Sequence, residues 1–146
     1  MMGFAKQKSD WIEVQHMFKA KSIMKTNVIS VDKDTEIYEA IKILVESNIT
    51  GLPVVHEDQT LAGIITEKDV LKLLYDFEDV PDTVGGFMTE QVTCFDQEDS
   101  LIDIADSFTR NHFRRVPILD KDRLVGIISR KDIIGYILKL RHKVNV

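Results

Sequence analysis

The sequence predicts an α+β fold in which one β-α-β-β-α unit occurs twice, with a helix leading in. Three observations carry that expectation. The chain superposes on itself, the hydrophobic period switches along each copy, and an acidic connector separates the copies. A shift of 64 sets Met24 on Met88, Val28 on Val92, Asp32 on Asp96 and Pro53 on Pro117. After one extra residue in the first copy the shift is 63. Leu61 then falls on Leu124, Gly63-Ile64-Ile65 on Gly126-Ile127-Ile128, and Lys68-Asp69 on Lys131-Asp132. Self-similarity of this kind decides the architecture before any local reading. A unit of about 60 residues buries only about 60% of its unfolded surface and is marginal alone. The two copies are therefore expected to pack together and share a core. The boundaries read as a helical segment over 1–19, a first repeat over 20–76, a linker over 77–83 and a second repeat over 84–143.

Each element has its own signal. Asp10, with Glu13 three residues on, resembles a capping box, and Trp11, Val14 and Phe18 fall on one face of a leading helix. Val28–Val31 and Val92–Phe95 are short apolar runs that read as strands. Ile37, Ala40, Ile41 and Leu44 recur at helical spacing, as do Leu101, Ile104, Ala105 and Phe108. Leu52–Val55 and Leu61–Ile65 flank the polar turn 56–60, which makes a hairpin. Val116–Leu119 and Leu124–Ile128 do the same around 120–123. Closing helices follow, with Val70, Leu71 and Leu74 in one and Ile133, Ile134, Ile137 and Leu138 in the other. The stretch from Asp76 to Gly86 is acidic and carries Pro81 and two glycines, the composition of a link.

Composition narrows the function classes. Among 146 residues, 44% are apolar and 29% charged, which is ordinary globular usage. The net charge of −5 argues against a protein that grips nucleic acid by its phosphates. Cys94 is the only cysteine, so no internal disulfide forms. No apolar run approaches the roughly 20 residues needed to cross a bilayer, and no apolar signal segment follows Met1. A soluble cytoplasmic protein is expected. The four histidines are scattered without zinc-ligand spacing, and no nucleophile motif, P-loop or dinucleotide fingerprint occurs, so neither a metal site nor an enzyme is expected.

The duplicated β-α-β-β-α pattern carries a proline before each hairpin, at Pro53 and Pro117. Gly-h-h-[Thr/Ser]-x-x-Asp stands at each hairpin's far end. Together these resemble a pair of CBS domains, the tandem called a Bateman module, over residues 20–140. The resemblance implies a regulatory module that binds adenine-containing ligands, AMP, ADP or ATP, in clefts between the copies. It also implies pairing of two modules into a homodimer. Because the module fills the sequence, the output is expected to pass to a separate effector protein, with no nucleic acid and no membrane involved. S-adenosylmethionine as the ligand, or a purely structural dimerisation role, are the alternatives.

The candidate site residues keep two readings side by side. Thr66 with Asp69, and Ser129 with Asp132, have the spacing of a reciprocal helix N-cap. The same carboxylates have two oxygens to accept from a ribose cis-diol. The adjoining helix N-terminus offers N–H groups to phosphate, with Lys68 and Lys131 beside it. The resemblance assigns the second role to these positions. Arg114 and Arg115 precede Val116 and Pro117, and a guanidinium fork suits phosphate. A solvated loop is the plainer reading. The first copy has Thr50-Gly51 ahead of Leu52 and Pro53 instead, where Gly51 would let a ligand approach the backbone. Segments around Thr26, Val28 and Val92 are candidates to read adenine, through main-chain groups if they follow the family. Cys94 reads as a small buried strand residue, and the basic end of the last helix as a complement to its dipole.

Overall fold

The structure, a computed structural model, describes residues 18–75 and 78–144. The leading helix expected from Asp10 lies outside the described residues. The rest divides into two compact units. One is built on the first repeat and comprises residues 27–75, 78–93 and the hairpin tip 121–124. The other is built on the second repeat and comprises 18–26, 94–120 and 125–144.

In the first-repeat unit a three-stranded sheet has the order β1 (Val31–Asp32), β2 (Gly51–Val55), β3 (Leu61–Thr66). β2 runs parallel to β1 and antiparallel to β3, with Gly51 opposite Thr66 and Pro53 opposite Ile64. Helix α2 (Ile37–Glu46) crosses over between β1 and β2, as its apolar spacing predicts. After β3 comes α3 (Glu67–Leu71) and a 3-10 turn over Lys72–Leu74. Ala40, Leu44, Leu52, Val54, Ile65 and Val84 form the core. Each fully buried Leu or Ile side chain adds about 1.5–3 kcal/mol of hydrophobic stabilisation.

The second-repeat unit repeats this plan. Its sheet order is β4 (Phe95–Asp96), β5 (Arg115–Asp120), β6 (Arg123–Ser129), with β4 parallel to β5. Helix α4 spans Leu101–Arg110 and α5 spans Arg130–Val144. Ile104, Phe108, Val116, Ile118, Ile128 and Ile133 form its core, together with Ala20.

Ala20 and Val84 show how the units are assembled. The segment that leads the first repeat, including the one-turn helix α1 (Ala20–Ile23), belongs to the second-repeat unit. There Ala20 N–H donates to Asp99 O at 2.8 Å, and Lys25 exchanges two backbone bonds of 3.0 Å with Ile127. The segment that leads the second repeat belongs to the first-repeat unit. Val84 N–H donates to Thr35 O at 2.8 Å, and Thr89 exchanges two bonds of 2.9 Å with Ile64. Each repeat therefore lends its leading strap to the other's core.

Two expectations need correction. The strands expected at Val28–Val31 and Val92–Phe95 are only two residues long and start at Val31 and Phe95. Continuing the parallel register would set Ser30 opposite Pro53 and Cys94 opposite Pro117. Proline has no N–H to offer a ladder, so pairing stops there in both repeats. Cys94 is consequently half-buried just outside a strand. The closing helices turn little of their apolar surface inward. Val70 is half-buried and Ile133 buried, while Leu71, Leu74, Ile134, Ile137 and Leu138 are exposed. The turn helix α1 was not anticipated by the sequence pattern.

The one-residue slip between the copies has a structural place. β5 and β6 are joined by Lys121 and Asp122, both at positive φ (51° and 67°), the type I′ arrangement that suits a two-residue hairpin. The first hairpin has the longer turn His56–Thr60 and a β-bulge where Val54 and Val55 face Gly63 and Leu61.

Candidate ligand-binding site

In the first-repeat unit the site residues gather where β3 gives way to α3. Gly51 lies across from Thr66, and Glu67 N–H donates to Thr50 O at 3.2 Å, so the start of β2 adjoins the start of α3. The reciprocal cap forms. Thr66 Oγ1 accepts from Asp69 N–H at 3.2 Å, and Asp69 Oδ2 accepts from Thr66 N–H at 2.9 Å. Asp69 Oδ2 also accepts from the Thr66 hydroxyl at 2.9 Å. The strap adds a further donor. The Thr89 hydroxyl lies 3.1 Å from Oδ1 and 3.2 Å from Oδ2 of Asp69. Asp69 is 8% exposed.

The second-repeat unit has the same backbone and different chemistry. Arg130 N–H donates to Arg114 O at 3.0 Å, which joins the start of β5 to the start of α5. Ser129 Oγ accepts from Asp132 N–H at 3.1 Å, and Asp132 Oδ2 accepts from Ser129 N–H at 2.9 Å. Opposite Asp132 Oδ1 stands Lys25 Nζ at 3.5 Å, with Thr26 next along the same strap. Lys25 falls on Thr89 under the 64-residue shift, so the two straps present different groups to equivalent carboxylates. Arg114 is exposed. Arg115 is half-buried, and its Nε is buried without a hydrogen-bond partner among the described residues.

The remaining predicted residues separate by depth. Leu52, Pro53, Val116 and Pro117 are fully buried, so their side chains belong to the cores. Thr26, Lys68 and Lys131 are exposed, and Val28 and Val92 half-buried. Sequence reasoning missed Lys25 and Thr89. Their signal was their place one residue after the repeated Met24 and Met88. It also missed Arg130, whose guanidinium donates to the carbonyls of Phe108, Asn111 and Phe113 and lies 5.8 Å from the Phe108 ring centroid. That arginine holds the C-terminal end of α4 against the start of α5. A cleft at the other end of the first sheet is lined by residues 30–34 and 55–60, none of them predicted site residues. The Asp32 and Asp58 carboxylates there are occupied by local turn donors. No group of three or more metal-ligating side chains occurs among the described residues. None of the described helices is long and apolar enough to cross a membrane.

The duplicated fold and the paired Thr/Ser–Asp caps define a class. The CBS domain model matches residues 20–76 and 84–139, and the chain belongs to that family. Among relatives, it is 36% identical over 114 residues to the uncharacterized protein MJ1225 of Methanocaldococcus jannaschii, covering 78% of this chain and 41% of that one. An inosine-5'-monophosphate dehydrogenase of the same archaeon is 35% identical over 123 residues, covering 84% of this chain and 24% of the enzyme. The chain thus spans less than half the length of these two relatives. Among solved structures, CBSX2 in complex with AMP superposes with a TM-score of 0.78 at 26% identity, over 85% of this chain and 98% of that one. The CBS domain pair of MJ0100, in complex with 5'-methylthioadenosine and S-adenosyl-L-methionine, gives 0.72 at 30% identity, over 84% of this chain and 98% of that one.

Proposed function

We propose that this CBS pair is a regulatory module that binds an adenine nucleotide and catalyses no reaction of its own. The observation that carries the reading is the setting of Asp132. One carboxylate oxygen is fixed by the Ser129 N–H, while the other faces, among the described residues, the flexible ammonium of Lys25. A ribose cis-diol can donate to such a carboxylate, as it would to any carboxylate with open acceptor positions. The Nε of Arg115, without a hydrogen-bond partner among the described residues, and the exposed Arg114 favour a phosphate beside it. The AMP complex of CBSX2 supports an AMP-like ligand, and ADP or ATP would use the same groups. The complex of MJ0100 with adenosyl ligands supports S-adenosylmethionine as a second reading, which needs the ribose contact but no phosphate clamp.

Binding would act by favouring one arrangement of the protein over another, since a ligand shifts only an equilibrium whose states it binds unequally. The exposed apolar residues of the closing helices support a homodimer, and a separate effector protein would receive the output. A thermal-shift series with AMP, ADP, ATP and S-adenosylmethionine tests the reading. A ligand at 100 times its Kd adds about 2.7 kcal/mol, which raises Tm by several degrees for a chain of this size. Arg114→Ala and Arg115→Ala should weaken a nucleotide and leave S-adenosylmethionine unchanged. No shift with any ligand at millimolar concentration leaves the structural role in its place.

A further inference from the structure

We infer that the chain holds one adenine nucleotide, on Asp132, and that Thr89 closes Asp69 to ligand; this rests on the nucleotide reading above. The two carboxylates are equivalent in the repeat, but their approaches are not. At Asp69 the Thr89 hydroxyl is nearly equidistant from both oxygens, at 3.1 and 3.2 Å. That is the position a bidentate donor such as a cis-diol must take. With two Thr66 donors already on Oδ2, the carboxylate is satisfied from within its own unit.

At Asp132 no hydroxyl among the described residues stands in that position. Lys25 approaches Oδ1 at 3.5 Å, and its side chain is 71% exposed, so it can swing away readily. The surroundings differ in the same sense. The second-repeat unit carries Arg115, with a buried nitrogen that lacks a hydrogen-bond partner among the described residues, where the first has Gly51. Its helix α5 has 15 residues against five in α3, so only α5 has an N-terminal dipole of consequence. Residues 25 and 89 therefore act as the specificity determinants of the two positions.

Isothermal titration of the full chain with AMP, and with adenosine as a probe without phosphate, tests this. The native chain should bind one AMP per chain, and Asp132→Asn should weaken it at least tenfold. Exchanging the strap residues should exchange the outcome. Thr89→Lys should bring the adenosine stoichiometry to two, and Lys25→Thr should lose both AMP and adenosine. Loss of adenosine shows that the hydroxyl blocks the carboxylate, beyond any lost charge on phosphate. Circular dichroism establishes that each variant is folded, and either strap variant alone suffices. Two AMP per native chain, full binding by Lys25→Thr, or an adenosine stoichiometry of one in folded Thr89→Lys each overturns the inference while leaving nucleotide binding intact. No heat from the native chain with either probe overturns the nucleotide reading and this inference with it.

Discussion

Gly63 and Gly126 are the residues at which one added carbon decides whether a strap can lie against its sheet. A Cβ on Gly63 would come within 2.7 Å of both the Met88 sulfur and the Thr89 carbonyl oxygen. That carbonyl accepts from Ile64 N–H, so it cannot retreat without breaking the strap's backbone pairing. The three atoms nearest a Cβ on Gly126 all belong to the Met24 side chain, with the sulfur at 2.5 Å. A thioether chain has three rotatable bonds and yields more readily than backbone. Overpacking of this kind destabilises by about 1–3 kcal/mol. Gly63→Ala should sit in the upper part of that range and Gly126→Ala in the lower, with Tm falling by about 2–4 °C per kcal/mol. Urea denaturation of the two variants checks the order, and an equal or larger loss in Gly126→Ala contradicts it. The recurrence of Gly63 in Gly126 was plain in the sequence. Its reason was not, because the partners Met88 and Met24 lie far away along the chain.

The straps are also where electrostatics enters at the scale of an element. Lys19 and Lys21 flank α1's first residue, and their ammonium groups reach Glu98 at 2.9 and 2.6 Å. The Lys21 bond, followed by that of Lys19, holds the Glu98 carboxyl below its ordinary value of 4.5. A carboxyl lowered in the folded state helps hold the strap at pH values above its unfolded pKa, and that help is lost as pH falls through the lower folded value. The pair is exposed, so salt weakens it and its contribution is small. In an NMR titration Glu98 should therefore show a midpoint below 4.5, and Lys19→Met with Lys21→Met should restore the ordinary value. A midpoint that stays low in the double variant shows another cause.

Elements also show how far a sequence can be read. Helices α2 and α4 and both hairpins were legible because their periods are long and unbroken. The short strands β1 and β4 were overextended because Pro53 and Pro117 act on their neighbours' pairing and leave no mark at Val28 or Val92. The Asp69 and Asp132 caps were legible as spacing. Their unequal surroundings were hidden because Thr89 and Lys25 come from straps that fold onto the other repeat.

For the whole molecule the exposed apolar residues predict association. Ile134 is 65% exposed, Ile137 57% and Leu138 61%, all on α5, and Leu71, Leu74 and Tyr75 are similarly open at the end of the first repeat. Sedimentation should find a dimer, and Ile134→Asp with Ile137→Asp should shift it to monomer without loss of far-ultraviolet ellipticity. A native chain that sediments as a monomer at high micromolar concentration excludes this interface. The exchange of straps has a consequence in time. At translation rates of roughly 5–20 residues per second, residues 27–93 hold most of the first-repeat unit and can begin to close soon after they leave the ribosome. Residues 18–26 emerge earlier yet must wait on the order of ten seconds for β6 and α5 to be synthesised. In that interval the nascent chain carries an orphaned segment, and a neighbouring copy on the same polysome is a rival home for it.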